Sequence, residues 1–492
     1  MEPPPDPGPH ALSAAAGAPM SFVSWAFVVL FLAVFAARLT IGRRKIEPAF
    51  VWVLVVASTV FYSWHVPIYI LILLTSAGVD YLAAILLGRT PATEVSKRRW
   101  ILALSLGVNL GLLGFFKYAN LLMDAVARAS AAVGYPLETA AVSVILPMGI
   151  SFYTFQSMSY TIDVYRGVLT PIHSFRSFFL YVIFFPQLVA GPIVRAVSFL
   201  PQMPRPRRLR LKVFYEGLWL IIVGFFLKMV CADNLAVYVD EYWEMAYLER
   251  ANAAFSLWLA LMFSGQIFAD FAGYSSIARG LAYLLGYRLP INFNAPYIAS
   301  SLKNFWERWH ITLSSWLRDY LYVSLGGNRI SRVRTYVNLL VVMVLGGLWH
   351  GAAYTYIVWG ALHGVALAVE RALGLQHNRG LGRFGAIRFL WFLVAQGVVL
   401  VAWIFFRSNS YEHALAFLAN VAEMDFLMPN AMMWVGMLFL VPLVVHHAWA
   451  WAEERGAVKP LVPAMRAVLA AVMVYGILTL YAGTSDFIYF QF

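Results

Sequence analysis

Long apolar runs separated by short basic loops constrain this chain more than any other feature. Runs of about 18 or more apolar residues are long enough to cross the roughly 30 Å hydrocarbon core of a bilayer as helices. Apolar runs of 15 to 20 residues recur from Phe22–Leu39 through Phe50–Trp64, Ile68–Leu87, Ile101–Phe116 and Val213–Val230 to Ala467–Tyr481. Only 12% of the residues are charged, half the roughly 25% of a soluble globular chain, which excludes an ordinary soluble enzyme. The runs are continuous rather than alternating, so they read as helices and not as strands of a barrel. The expectation is an all-α polytopic membrane protein with about eleven transmembrane helices plus re-entrant or interfacial helices.

The formal net charge of +12 would suggest nucleic acid in a soluble chain. Here the bases sit in short loops, the signature of a cytoplasmic face. Arg43-Arg44-Lys45 and the loop with Arg89, Lys97, Arg98 and Arg99 bracket two spans, which places both loops on one side and the N-terminus outside. The stretch from Arg205 to Lys212 is the most basic loop. The single cysteine, Cys231, leaves no disulfide framework and no cysteine metal cluster, and reads as a small core residue. Residues 1–20 are rich in Pro, Ala and Gly and read as a disordered tail. They lack the basic start of a signal peptide, and Met20 is a second candidate start. Residues 21–492 read as one membrane domain, with no repeat period that would support an inverted-repeat transporter.

Some stretches depart from simple spans. Between Phe185 and Arg195, two prolines and a glycine interrupt an apolar run, and such backbone survives at membrane depth only when enclosed by protein or lining a water-filled cavity. Ser151, Thr154, Ser157 and Thr161 supply small hydroxyl contacts for helix packing in lipid, and Asp163 and Arg166 lie three apart, placed to pair. Tyr336–Val369 is one long helix or two.

The segment Asn304 to Gly364 concentrates the chemistry. At about 100° per residue, Lys303, Glu307, His310, Ser314 and Arg318 fall on one stripe and Trp306, Trp309, Leu313, Trp316 and Tyr320 on the next. That reads as an interfacial amphipathic helix, with Glu307 and Arg308 able to set the orientation and proton affinity of His310. His350, in Gly346-Gly347-Leu-Trp-His350-Gly351, follows an apolar run, and an ionisable residue at membrane depth marks a functional site. His363 stands before Gly364 near a helix end, where it either caps or joins the site. No Gly-x-Ser-x-Gly elbow, His-Glu-x-x-His pair or phosphate loop occurs. His65, His173, His377 and His413 read as solvated or interfacial, and His446-His447 point apart on a helix, so no metal is expected.

These motifs together resemble the membrane-bound O-acyltransferase family, in its bacterial alginate O-acetylation branch. The resemblance is carried by Pro147-Met-Gly-Ile-Ser-Phe-Tyr-Thr-Phe-Gln, Pro186-Gln-Leu-Val-Ala-Gly-Pro-Ile-Val-Arg, Asp270-Phe-Ala-Gly-Tyr-Ser-Ser-Ile-Ala-Arg-Gly and Pro290-Ile-Asn-Phe-Asn-Ala-Pro-Tyr. It continues through the block from Asn304 to Asn328, Trp349-His-Gly-Ala and Trp359-Gly-Ala-Leu-His-Gly, and reaches Phe487-Ile-Tyr-Phe-Gln-Phe at the end. It implies a ring or funnel of helices around a central tunnel, with a catalytic core over about 147–364. On this resemblance His350 and His310 are the catalytic pair. Trp306, Glu307, Arg308, Trp309, Ser314, Arg318, Asp270, Trp349 and His363 are expected along the tunnel or substrate.

The implied reaction moves an acyl group, most simply acetyl, from a cytoplasmic thioester such as acetyl-CoA or an acyl-carrier arm toward hydroxyls of a secreted polysaccharide such as alginate. No permanently bound cofactor is implied. His350 would act as general base or form an acyl-imidazole, and His310 would orient or stabilise the developing oxyanion. Periplasmic acetyltransferase partners are implied by the branch, in the bacterial inner membrane. A non-catalytic scaffold or acyl channel, a proton or polysaccharide transporter, and D-alanyl, lipid or protein acylation are the competing readings.

Overall fold

In hydrocarbon a helix satisfies its own backbone N–H and C=O groups within one segment, and apolar runs of this length therefore fold as helices. The computed structural model describes residues 20–41, 46–135, 137, 146–189, 191–204, 206, 208–248, 252–376, 385–423, 431–483 and 487. Among these residues all regular structure is helical. The tail 1–19, Arg43-Arg44-Lys45, His377 and the terminal 488–492 lie outside the described residues. Among the described residues, seven helices are long and apolar enough to cross a membrane, including Val95–Ala132, Ala253–Leu285, Arg332–His350 and Gly385–Arg407. Three shorter apolar helices, Trp25–Thr40, Ala49–Ser63 and Pro463–Thr479, accompany them. The most apolar window of Ala253–Leu285 is 78% buried and that of Val95–Ala132 is 17% buried. The first is thus enclosed by protein and the second faces lipid. The chain is a multi-pass membrane protein.

The chain forms two compact units, Met1–Phe214 with Leu281–Leu289, and Tyr215–Gly280 with Pro290–Phe492. In the first, helix Ile150–Tyr165 has fourteen buried residues out of sixteen, so its hydroxyl side chains meet protein rather than lipid. Thr161 donates to Asp80 Oδ1 at 3.1 Å, Asn109 Nδ2 donates to Oδ2 at 3.1 Å, and Ser105 donates to the same carboxylate. Asp80 is fully buried, and these donors replace the water it loses. The proline-interrupted segment breaks as its sequence requires. Helix Phe175–Ile183 stops, a four-residue helix Phe185–Leu188 follows, and Phe178 to Phe185 are all buried, where irregular backbone can be satisfied.

In the second unit, glycines set helix spacing. A Cβ on Gly273 would approach Gly224 O to 2.9 Å and one on Gly280 would approach Gly217 O to 2.6 Å. Two glycines seven apart on each helix thus bring backbones into contact, the close packing that small residues allow in lipid. Helix Ala253–Leu285 is continuous, joining what the sequence suggests as a span and a separate following segment. Tyr336–Val369 resolves into two helices, Arg332–His350 and Tyr354–Ala372. A Cβ on Gly347 would strike Tyr356 O and one on Gly360 would strike Met343 O, so this hairpin is closed by contact that only glycine permits.

The amphipathic helix expected through Asn304–Tyr322 is broken. Helix Leu302–Trp306 ends, His310 adopts a left-handed backbone with φ 40°, helix Ile311–Trp316 follows, and Leu317–Tyr322 is a π-helical turn. The stripe read from a regular period therefore does not survive past Glu307. The cause is non-local. Asn294 N–H donates to Arg308 O and Ile311 N–H donates to Asn292 O, both at 2.9 Å. This short pairing pulls the backbone out of helix on both sides of His310.

Candidate active site

The site is built from the broken segment and the glycine hairpin, all within the second unit. Helix Leu302–Trp306 is fixed at its start by Glu370. This buried carboxylate accepts from Leu302 N–H at 2.6 Å and Lys303 N–H at 3.0 Å, satisfying first-turn donors and favouring the helix dipole. After that helix, Arg308 donates to both carboxylate oxygens of Glu454, at 2.7 and 2.8 Å. His310, fully buried, follows two residues later. Its Nδ1 lies 3.1 Å from Asn292 Oδ1, which also accepts from Thr312 Oγ1 at 2.8 Å and Thr312 N–H at 3.3 Å. Burial holds the His310 imidazole well below its ordinary pKa, so the ring is neutral.

His350 ends helix Arg332–His350 and is 4% exposed, enough to keep it within protein. Trp349 joins the two histidines, its ring 6.0 Å from His310 and 5.0 Å from His350. On the far side, Trp359 packs edge-on at 5.0 Å from His350 and 4.9 Å from His363. Trp306 closes against His363 at 5.1 Å. A continuous run of rings thus passes from His310 through Trp349, His350 and Trp359 to His363 and Trp306. It joins residues 57 positions apart, from Trp306 to His363 (363 − 306), in one low-dielectric layer. Three imidazoles set within aromatic walls suit proton transfer to and from a polar group brought into the layer.

The remaining expected site residues make contacts of their own. Glu307 is exposed and pairs with Lys303 at 2.9 Å and Arg308 is held by Glu454, whereas the His310 ring has a hydrogen-bond partner from another loop. That partner is Asn292. Arg318 is exposed and donates to Asp319, which raises its already high pKa. Ser314 donates back to Trp309 O and His310 O, both at 3.2 Å, and fastens the turn. Trp309 stacks on Phe305 at 5.7 Å and packs on Trp403 at 4.9 Å, behind the histidines. His413, read as interfacial, is buried, with Nδ1 3.8 Å from Glu244.

Comparison with known proteins decides the family. The model of the membrane-bound O-acyltransferase family matches residues 168–410, which include His310, His350 and His363. A probable alginate O-acetylase of Pseudomonas putida is 40% identical over 397 residues, covering 80% of this chain and 79% of the relative. One of Azotobacter vinelandii is also 40% identical, over 80% of this chain and 76% of its own. The chain belongs to the membrane-bound O-acyltransferase family. A peptidoglycan O-acetyltransferase of Helicobacter pylori is 36% identical, over 76% of this chain and 73% of the relative. This family member is accordingly an enzyme of acyl transfer.

Two features of this acyltransferase escape a reading by residue type. Asn292 is neutral and sits in a loop, so nothing in its local sequence signals that it holds His310. The second feature is a buried ion triad. Lys228 Nζ lies 2.8 Å from Asp233 and 2.8 Å from Asp270, with all three side chains at most 3% exposed. Lys228 and Asp233 are five apart, which on an α-helix turns them about 140° from one another. The π-helical turn Phe226–Ala232, with its i to i+5 repeat, brings them to one face. Asp270, expected along the tunnel or substrate, belongs to this triad and precedes Phe271, whose ring lies 4.6 Å from His310.

Proposed function

We propose that this acyltransferase carries an acyl group, in the simplest case acetyl, from a thioester donor on the cytoplasmic side of the bacterial inner membrane to hydroxyls of a secreted polysaccharide or cell-wall glycan. The observation that supports this best is the pair of buried imidazoles on either side of Trp349. Relatives named for alginate and peptidoglycan O-acetylation favour carbohydrate hydroxyls as acceptors. Acetyl-CoA or an acyl-carrier arm is the donor in this reading, drawn to the basic loops by its phosphates. Periplasmic acetyltransferases are the partners that carry the group onward to polymer.

The chemistry is a balanced displacement. The acceptor oxygen attacks the thioester carbonyl carbon while His350 takes its proton. The tetrahedral intermediate collapses, the C–S bond breaks, and His350 returns the proton to the departing thiolate, releasing a thiol. His310 is the second polar contact for the reacting groups. The test is polymer-bound acetate in cells carrying His350→Ala at wild-type membrane abundance. Acetate is expected to fall by about 10²-fold or more. Retained acetate would remove His350 from the chemistry and leave the chain as a scaffold for another enzyme.

A further inference from the structure

Asn292 faces four groups whose identities leave little freedom. The amide of an asparagine can be turned either way at ordinary accuracy, but here a backbone N–H decides it. Thr312 N–H can only donate, and it lies 3.3 Å from the Asn292 atom that also meets Thr312 Oγ1 and His310 Nδ1. That atom is therefore the amide oxygen. The amide nitrogen then faces Ser275 Oγ at 3.1 Å, an acceptor. An oxygen that only accepts requires a proton on His310 Nδ1, and a neutral imidazole carries one N–H. The lone pair therefore resides on Nε2. Asn292 is 1% exposed, Ser275 3% and Thr312 5%, so the arrangement is shielded from competing water.

We infer that Asn292 is a positioning residue that fixes His310 as the Nδ1–H tautomer, so that Nε2 accepts a hydrogen bond from a second hydroxyl of the acceptor, while His350 takes the proton of the attacking one, and does not donate to a developing oxyanion. The inference rests on the acyl-transfer reading for the identity of the hydroxyl, though not for the tautomer. It sets an acceptor role for His310 against the oxyanion contact expected from the sequence. The left-handed backbone at His310 fits the same purpose. Non-glycine residues held there are maintained by their surroundings and concentrate at functional sites, and here Ile311 N–H and Thr312 N–H are both bound by residue 292.

The tautomer is read directly by nitrogen NMR of the full-length protein labelled with 15N-histidine in lipid, with His310 assigned by its loss in His310→Gln. Nδ1 of His310 should give a protonated, pyrrole-type signal and Nε2 an unprotonated one. The reverse pattern overturns the inference. Asn292→Asp supplies a second measurement. A carboxylate still accepts from Nδ1–H, and Ser275 can turn its hydroxyl to donate. The added charge raises the proton affinity of the ring, so the acid limb of the pH–activity profile should move up by about one unit or more. The rings packed against His310 include Phe271, Phe293 and Trp349, none of them titratable. Asp270 is tied to Lys228 and His350 lies beyond Trp349.

Asn292→Leu should lose roughly tenfold in rate, the effect of one lost positioning hydrogen bond. Equal loss in the Asp and Leu variants with an unmoved pH profile would mean that residue 292 is merely structural. A protonated Nδ1 in a protein that transfers no acyl group would sink the acyl-transfer reading and leave the hold of Asn292 on the tautomer confirmed.

Discussion

Lys228 shows how strongly a single buried charge is committed in this protein. It bridges Asp233 and Asp270 at 2.8 Å each, with side-chain exposure of 1–3% throughout. Removing one member of a buried ionic set costs about 3–5 kcal/mol, because the partners left behind are uncompensated. Lys228→Met strands two carboxylates, whereas Asp270→Asn leaves a one-to-one pair with Asp233 and an amide that can still accept. The lysine variant should therefore melt well below the asparagine variant in detergent. Equal melting temperatures would show that the triad does not carry the load its geometry suggests. At this scale the sequence is informative where a charge interrupts apolar residues, which is how His310 and His350 are found. It is silent where the partner is neutral, as at Asn292, or where pairing depends on a π-helical turn that α-helical spacing hides.

Helices are legible because length and hydropathy act locally, and the broken run at Phe185–Arg195 is legible because proline and glycine act locally too. The break at His310 is not. Its causes lie in the loop containing Asn292 and Asn294, in Glu370, 68 residues from Leu302, and in Glu454, 146 residues from Arg308. A period analysis of residues 304–322 cannot register such partners. The hairpin that carries His350 depends on glycine in a way that is testable at the level of the element. Gly347→Ala or Gly360→Ala puts a methyl group onto a facing carbonyl, and two packed helices must separate to receive it. Both variants should lose stability by about 1–3 kcal/mol, as overpacking does, with activity falling as His350 moves. Gly397→Ala, in helix Gly385–Arg407, meets nothing within 4 Å. It should be neutral or gain up to about 1 kcal/mol from helix propensity. Thermal melts of the three variants check this, and a stable Gly347→Ala protein would refute close packing at the hairpin.

For the whole molecule the question is which face of the membrane each loop occupies, since a cytoplasmic donor and an external acceptor require both. Arg89, Lys97, Arg98 and Arg99 cluster at the start of helix Val95–Ala132, and bases recur in the loop 205–212. The positive-inside rule puts both in the cytoplasm. That helix has 38 residues, about 57 Å at 1.5 Å each, more than the roughly 30 Å core, so its far end at Ala132 belongs on the opposite face. The chain offers a clean means of testing this. Its one cysteine, Cys231, is 0% exposed, and a buried thiol is a poor target for a membrane-impermeant maleimide. Single cysteines at the exposed positions Thr93, Arg208 and Ala132 can therefore be introduced without a competing surface thiol. In cells whose outer membrane alone is permeable, Ala132→Cys should label, while Thr93→Cys and Arg208→Cys should label only after the inner membrane is opened. If Thr93→Cys labels from outside, the orientation is reversed and the basic loops cannot gather a cytoplasmic thioester. If Thr93 and Arg208 report different faces, the spans between them have been miscounted, and the path assigned to the acyl group must be redrawn from the loops upward.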